Sequence, residues 1–189
     1  MKEKKNIFAI VGSASNHSSN LMLVEYLAGL TKDHFNLKIY NELKALPNFD
    51  PERSINNPPE PIVDFRNAIE QSDGVLICTP EYVFSIPSGL KNAIEWCVAT
   101  TVFSDKPLCL VTASADGRYG HQELTLIMKT VMAKLSDETN LLIQGIKGKM
   151  DRTGKITDTN TFELLSSLAS AFQKLIEDAE REKTSSNQT

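Results

Sequence analysis

The chain has 189 residues, enough for one domain that buries about 70% of its unfolded surface without disulfide or metal staples. Hydrophobic content of 41% and charged content of 23% are ordinary globular values. The net charge of −4, with no Lys/Arg run, disfavours nucleic acid as the main partner, because phosphate backbones are bound by basic faces.

In chain order, Ile7 to Val11 is a continuous apolar run ending in Gly12, the pattern of a strand buried on both faces. Leu21, Val24, Leu27, Ala28 and Leu30 then recur at helical spacing, placing a helix start near Ser19 or Asn20. Phe35 to Tyr40 alternates with period two and reads as a strand. From Leu46 to Pro61 the chain is rich in Pro and Asn and is expected to form a long loop, functional or interface-forming. Val63, Phe65, Arg66, Ala68 and Ile69 mark a second helix, ended by Asp73-Gly74. Val75 to Cys78 is another doubly buried strand, and Leu90, Ala93, Ile94 and Cys97 mark a third helix. A fourth strand spans Leu108 to Val111. Leu124, Ile127, Met128, Val131, Met132 and Leu135 give a fourth helical stripe, Leu141 to Ile143 a short fifth strand, and Phe162 to Ile176 the last helix. Residues 1–180 form one domain on this reading, with 181–189 a frayed, disordered tail.

Regular alternation of strand and helix predicts a five-stranded parallel sheet with helices on both faces. Right-handed crossovers favour the strand order 2-1-3-4-5. Ligands of such sheets bind beyond the carboxyl ends of the strands, where the order reverses. The functional residues are therefore expected just after Val11, Cys78 and Val111. Cys78, Cys97 and Cys109 lie in apolar runs without metal-ligand spacing and read as reduced core residues. The segment Met1 to Asn6 meets an apolar run too short for a signal sequence, and no stretch nears the ~20 apolar residues that cross a membrane. A cytoplasmic protein is expected.

The first loop of that edge carries Gly12, Ser13, Ser15, Ser18, Ser19 and Asn20 immediately before a helix. Hydroxyls and an amide there join unpaired helix N–H groups and the positive dipole end, which favour an anion. The same residues are good caps and turn formers, so a capped loop without ligand is the competing reading. The spacing matches neither a P-loop nor GxGxxG, which points to a single phosphate monoester. The second loop, Thr79 to Ser88, sets Tyr82 and Phe84 beside Glu81 between prolines, a form suited to a flat heteroaromatic ring.

The run Pro80-Glu81-Tyr82, Ser85-Ile86-Pro87 and Leu90-Lys91-Asn92-Ala93-Ile94-Glu95-Trp96 closely resembles the NADPH-dependent FMN reductase family, which includes quinone, azo-dye and chromate reductases. The resemblance spans roughly residues 6–145. It implies a flavodoxin-like three-layer α/β/α sandwich, bound FMN and a nicotinamide donor, NADPH or NADH. It implies phosphate contacts at Ser13, Ser18 and Asn20, with Ser15 and Ser19 in the same loop. Pro80, Glu81, Tyr82 and Val83 would embrace the isoalloxazine, and Ser114, Gly117 and Gly120 would form the third flavin-side loop. Asn92 and Trp96 read mainly as architecture. Ser15 stands where the family has Arg, Val83 where it has Asn, and His121 where it often has Gly. His17 and His121 are further candidates for a phosphate or substrate contact.

The implied activity is ping-pong hydride transfer from NAD(P)H through FMN to a quinone, flavin, azo or similar small acceptor. The chemistry belongs to the cofactor, in keeping with the absence of a catalytic triad or metal-ligand cluster. The alternative is a flavodoxin-like FMN-binding electron carrier without its own NAD(P)H turnover. A receiver module is disfavoured, since no acidic pair follows the first strand. The resemblance also implies a homodimer or homotetramer, with residues 45–61 as one contact, and no membrane or nucleic-acid partner.

Overall fold

The computed structural model describes residues 3–15 and 17–186. Five parallel strands form its centre: β1 (Lys5–Val11), β2 (Phe35–Tyr40), β3 (Gly74–Thr79), β4 (Leu108–Ser114) and β5 (Asn140–Gln144). They pair in the order β2-β1-β3-β4-β5, as the alternation predicts. Register pairs Ile7 with Leu37 and Gly74, Cys78 with Val111, and Thr112 with Leu142.

Period-two geometry divides each central strand between two cores. Ile7, Ala9 and Val11, with Leu76, Cys78, Cys109 and Val111, face α1 (Ser19–Leu30) and α6 (Thr159–Ser186). Phe8 and Ile10, with Val75, Ile77, Leu108 and Leu110, face α3 (Glu60–Glu70), α4 (Ser88–Glu95) and α5 (Arg118–Thr130). Burial on both faces explains why β1, β3 and β4 read as unbroken apolar runs. The three cysteines are buried and free, and burial pushes their thiols up, Cys97 to about 12. Among the described residues no helix is long and apolar enough to cross a membrane.

Several boundaries differ from the sequence reading. The Pro/Asn-rich stretch is not all loop, since α2 (Pro51–Asn56) lies inside it and α3 begins at Glu60. Asp50 caps α2 by accepting from the N–H groups of Glu52 and Arg53 at 2.9 and 3.1 Å, with Pro51 in the first turn. On α3 the core face is Ile62, Phe65, Arg66 and Ile69, and Val63 is exposed. Helix α5 ends at Thr130, because Met132 adopts φ 60° and turns outward. Strand β4 continues three residues beyond Val111. The expected tail is helical through Ser186 as part of α6, and 187–189 lie outside the described residues.

Packing also fixes the segment beside the site. Asn92 accepts from the Phe49 N–H at 2.7 Å and donates to the Pro47 carbonyl at 3.0 Å. The buried Trp96 donates its indole N–H to the same carbonyl at 2.8 Å, and its ring meets Phe49 edge-on at 5.5 Å. Arg66 ties this end of the sheet together, donating to the Trp96 carbonyl and to Ser54. Asn92 and Trp96 are thus architectural.

Candidate active site

A cleft of about 550 Å³ opens at the carboxyl edge of the sheet, at the topological switch point between β1 and β3. Its first wall is Ser13, Ser15, His17, Ser18, Ser19 and Asn20. Asn16 lies outside the described residues. Opposite stand Pro80, Glu81 and Tyr82, with Ala113, Ser114 and Ala115 along the floor. Gly145, Ile146, Lys147 and Gly148, from the turn after β5, close the far side.

The polar wall begins where β1 must end. A Cβ on Gly12 would lie 2.3 Å from Thr79 Oγ1, so only glycine lets the loop leave β1 so close to β3. The Gly12 N–H donates to the Cys78 carbonyl at 2.8 Å. Ser18 caps α1, its Oγ accepting from the Leu21 N–H at 3.0 Å, which leaves the hydroxyl proton free to donate into the cleft. Ser13 Oγ accepts from the Ser15 N–H at 3.2 Å and lies 3.4 Å from Tyr82 Oη, joining the two walls. Asn20 is more constrained than its place in the cluster suggests. It is buried, donates from Nδ2 to the Ala113 carbonyl at 3.2 Å and accepts from Cys78 Sγ at 3.3 Å. Its side chain therefore fastens the start of α1 to the ends of β3 and β4, with one amide hydrogen left for a ligand.

The aromatic wall is a tight hairpin. Tyr82 and Ser85 exchange both backbone hydrogen bonds, at 2.9 and 3.0 Å, around Val83 and Phe84. Both central residues are left-handed, at φ 52° and 59°, the geometry of a type I′ turn, which normally selects Asn and Gly. A β-branched residue there is strained by about 1–2 kcal/mol. Val83 is 94% exposed and lies outside the cleft; Phe84 is 69% exposed and meets the Tyr119 ring edge-on at 5.3 Å.

Two carboxylates hold this hairpin against α5 in opposite directions. Glu81, on the hairpin stem, accepts from the Gly117 N–H at 3.3 Å and the Gly120 N–H at 2.7 Å, capping α5 from another element. Glu123, on α5, accepts from the Ser85 hydroxyl at 2.6 Å and the Ile86 N–H at 3.2 Å. Gly117 and Gly120 thus lie beneath the hairpin instead of lining the cleft. A Cβ on Gly120 would press to 3.2 Å on both Glu81 Cγ and the Ser85 carbonyl, so its missing side chain admits Glu81. His121 is also turned away, with Nδ1 2.9 Å from Thr112 Oγ1, and burial lowers its pKa. His17 does line the cleft.

The turn after β5 was not among the expected site residues. Its signal is the pair of glycines directly after the fifth strand, at the same sheet edge as the other three loops. Among the described residues no group of three or more His, Cys, Asp or Glu is placed to hold a metal ion.

The 2-1-3-4-5 order, with a cleft at its switch point, places the chain in the flavodoxin-like class of α/β proteins. The solved structure of FerB, a flavoenzyme NAD(P)H:(acceptor) oxidoreductase from Paracoccus denitrificans, superposes with a TM-score of 0.79 at 26% identity, covering 93% of this chain and 98% of that one. Residues 5–137 match the model of the NADPH-dependent FMN reductase family, and the chain belongs to that family. The NADH:(hydroxy)cinnamate reductase subunit CrdA of Vibrio ruber is 30% identical over 88% of this chain and 85% of its own. The quinone reductase of Escherichia coli strain K12 is 27% identical over 94% and 98%. FMN and NAD(P)H are the expected cofactors, and the chain is an NAD(P)H-dependent flavin oxidoreductase that passes electrons to small acceptors.

Proposed function

We propose that the cleft holds FMN with its phosphate on the Ser13–Asn20 loop and its ring against Pro80–Tyr82, and that a quinone-type acceptor is reduced there in a ping-pong cycle. The observation that carries this reading is a cleft of small-molecule size in which a hydroxyl-rich helix start faces Pro80–Tyr82. Serine hydroxyls at Ser13, Ser15, Ser18 and Ser19, with unpaired N–H groups at the start of α1, suit a phosphate monoester. Tyr82 and Pro80 present flat apolar surface to a ring, and Ser114 and Ala115 bring backbone within reach of its polar rim. FMN, when bound, supplies the hydride chemistry, taking reducing equivalents from a nicotinamide and delivering them to the acceptor.

The protein's own contribution is position. Glu81 keeps the ring-side wall and the start of α5 in fixed relation. Its carboxylate engages the Gly117 and Gly120 N–H groups, so these do not serve as donors to a ring. Val83, Gly117 and Gly120 act behind the wall in this reading, and the Ser114 end of their loop faces the ligand.

An enzyme, as opposed to an electron carrier, consumes NAD(P)H steadily with a soluble benzoquinone. Parallel initial-velocity lines at varied quinone support the ping-pong order, and intersecting lines contradict it. The proposal includes a cytoplasmic setting, where reduced nicotinamides and reduced thiols coexist, and a homodimer or homotetramer. Exposed Ile55 on α2, with Val83, Phe84 and Tyr119 beside the cleft, offers the apolar surface an oligomer covers. Light scattering on the purified protein tests that part, and a monomer contradicts it.

A further inference from the structure

Lys147 stands on the helical turn Ile146–Gly148 that follows β5. The turn is fastened by the two residues that precede Lys147. Gly145, at φ 65°, donates its N–H to the carbonyls of Ser114 at 2.8 Å and Ala115 at 3.2 Å. Ile146 is buried in the core shared with α1 and α6. The backbone at residue 147 is therefore held on the rim, while its side chain is exposed and lines the same cavity as Ser13, Ser18 and Asn20. Lys147 has no ion-pair partner among the described residues.

The cleft's charge balance gives this lysine its meaning. Residues 12–20 contain no Lys or Arg, so the hydroxyl wall donates hydrogen bonds without formal charge from those residue types. Glu81 is the one carboxylate lining the cavity, and its oxygens face Gly117 and Gly120. A phosphate monoester carries nearly two negative charges near pH 7, and hydrogen bonds from charged donors are about twice as strong as neutral ones. Lys147 is the one lysine or arginine among the residues that line the cavity.

We propose that Lys147, reaching in from the β5 turn, is the counter-charge for the phosphate monoester bound by the Ser13–Asn20 loop. The proposal rests on the FMN reading of the cleft and names a residue of its phosphate site. Lys147 lies beyond the segment that matches the family, which ends at residue 137, so family membership does not assign it this role. Its exposure makes the contribution sensitive to salt.

The test compares FMN with riboflavin, which lacks the phosphate, by titrating flavin-free protein at low ionic strength. Lys147→Gln is expected to weaken FMN binding about fivefold, as for loss of one exposed charge-assisted contact. Riboflavin affinity should change less than about twofold, with the melting temperature unchanged. Raised salt should shrink the difference between wild type and Lys147→Gln. Adding Ser15→Arg to Lys147→Gln, which restores a cation from the opposite wall at an exposed position, should recover most of the lost affinity. Equal effects on FMN and riboflavin, or none on either, overturn the proposal while leaving the FMN reading intact. A rise in KM for NADPH with FMN affinity unchanged also overturns it, since the phosphate served is then the donor's. Failure of the wild-type protein to take up FMN overturns both.

Discussion

The loop after β1 and the hairpin after β3 face each other across one cleft, yet they are held by different means. The Ser13–Asn20 loop is secured at its ends, by the close approach of Gly12 to Thr79 and by the two hydrogen bonds of Asn20, and its serines add the Ser13–Ser15 and Ser18–Leu21 turns and the Ser13–Tyr82 contact. Its hydroxyls retain donors, so a ligand can complete the structure. The hairpin is complete without a ligand, with Glu81 and Glu123 bracing it to α5 and Phe84 packed on Tyr119. It keeps two left-handed non-glycine residues in place because neighbouring structure over-determines them. One wall keeps donors free for a ligand, and the other presents a preset surface.

If Asn20 is the anchor of the polar wall, Asn20→Asp should have the largest effect. The new carboxylate cannot donate to the Ala113 carbonyl and places charge in a buried site. A loss of about 3 kcal/mol in urea unfolding is expected. A loss under about 1 kcal/mol would show that the loop is secured elsewhere. If the hairpin depends on its braces, Glu81→Ala should cost about 2 kcal/mol by leaving the Gly117 and Gly120 N–H groups without their acceptor. An unchanged unfolding midpoint would remove Glu81 from that role.

Strain gives the comparison a test of opposite sign. Val83→Asn places a residue that tolerates φ near 52° on an exposed turn, and should stabilise by about 0.5–1 kcal/mol, raising Tm by roughly 1–4 °C. A fall in Tm would mean that Val83 makes contacts the free hairpin does not reveal.

The smallest effect is a pH dependence at His121. Burial lowers its folded-state pKa below the unfolded value of about 6.5, so the folded state favours the neutral ring. Above pH 6.5 the ring is neutral in both states and contributes no pH dependence. As pH falls through 6.5 the unfolded chain takes up a proton that the folded chain resists, and stability declines until the folded pKa is passed. His121→Gln should flatten that part of a stability-against-pH profile. An identical slope in the variant would assign the dependence to other groups.

What was legible in the sequence follows the range of the forces involved. Buried strands declared themselves because sheet burial on both faces leaves unbroken apolar runs, as at Ile7–Val11 and Val75–Cys78. Switch-point placement of the site then followed from topology. Helix α2 escaped because six residues carry no usable periodicity, although Asp50-Pro51 is a cap signal. The left-handed turn at Val83-Phe84 was invisible to propensity, which argues against valine there; the braces that hold it, Glu81 to Gly117 and Gly120 and Glu123 to Ser85, join positions tens of residues apart. The same nonlocality hid the true place of Gly117 and Gly120, whose N–H groups meet Glu81. Lys147 escaped because β5 is short and only half-buried, so the turn after it had no strong strand to mark its start.

The most direct test of the central claim is the visible spectrum of the protein purified without added cofactor, followed by titration of the stripped protein with FMN. The account predicts flavin absorbance in the purified protein, FMN released on denaturation, and saturable uptake of added FMN. A colourless protein that also fails to take up FMN contradicts it.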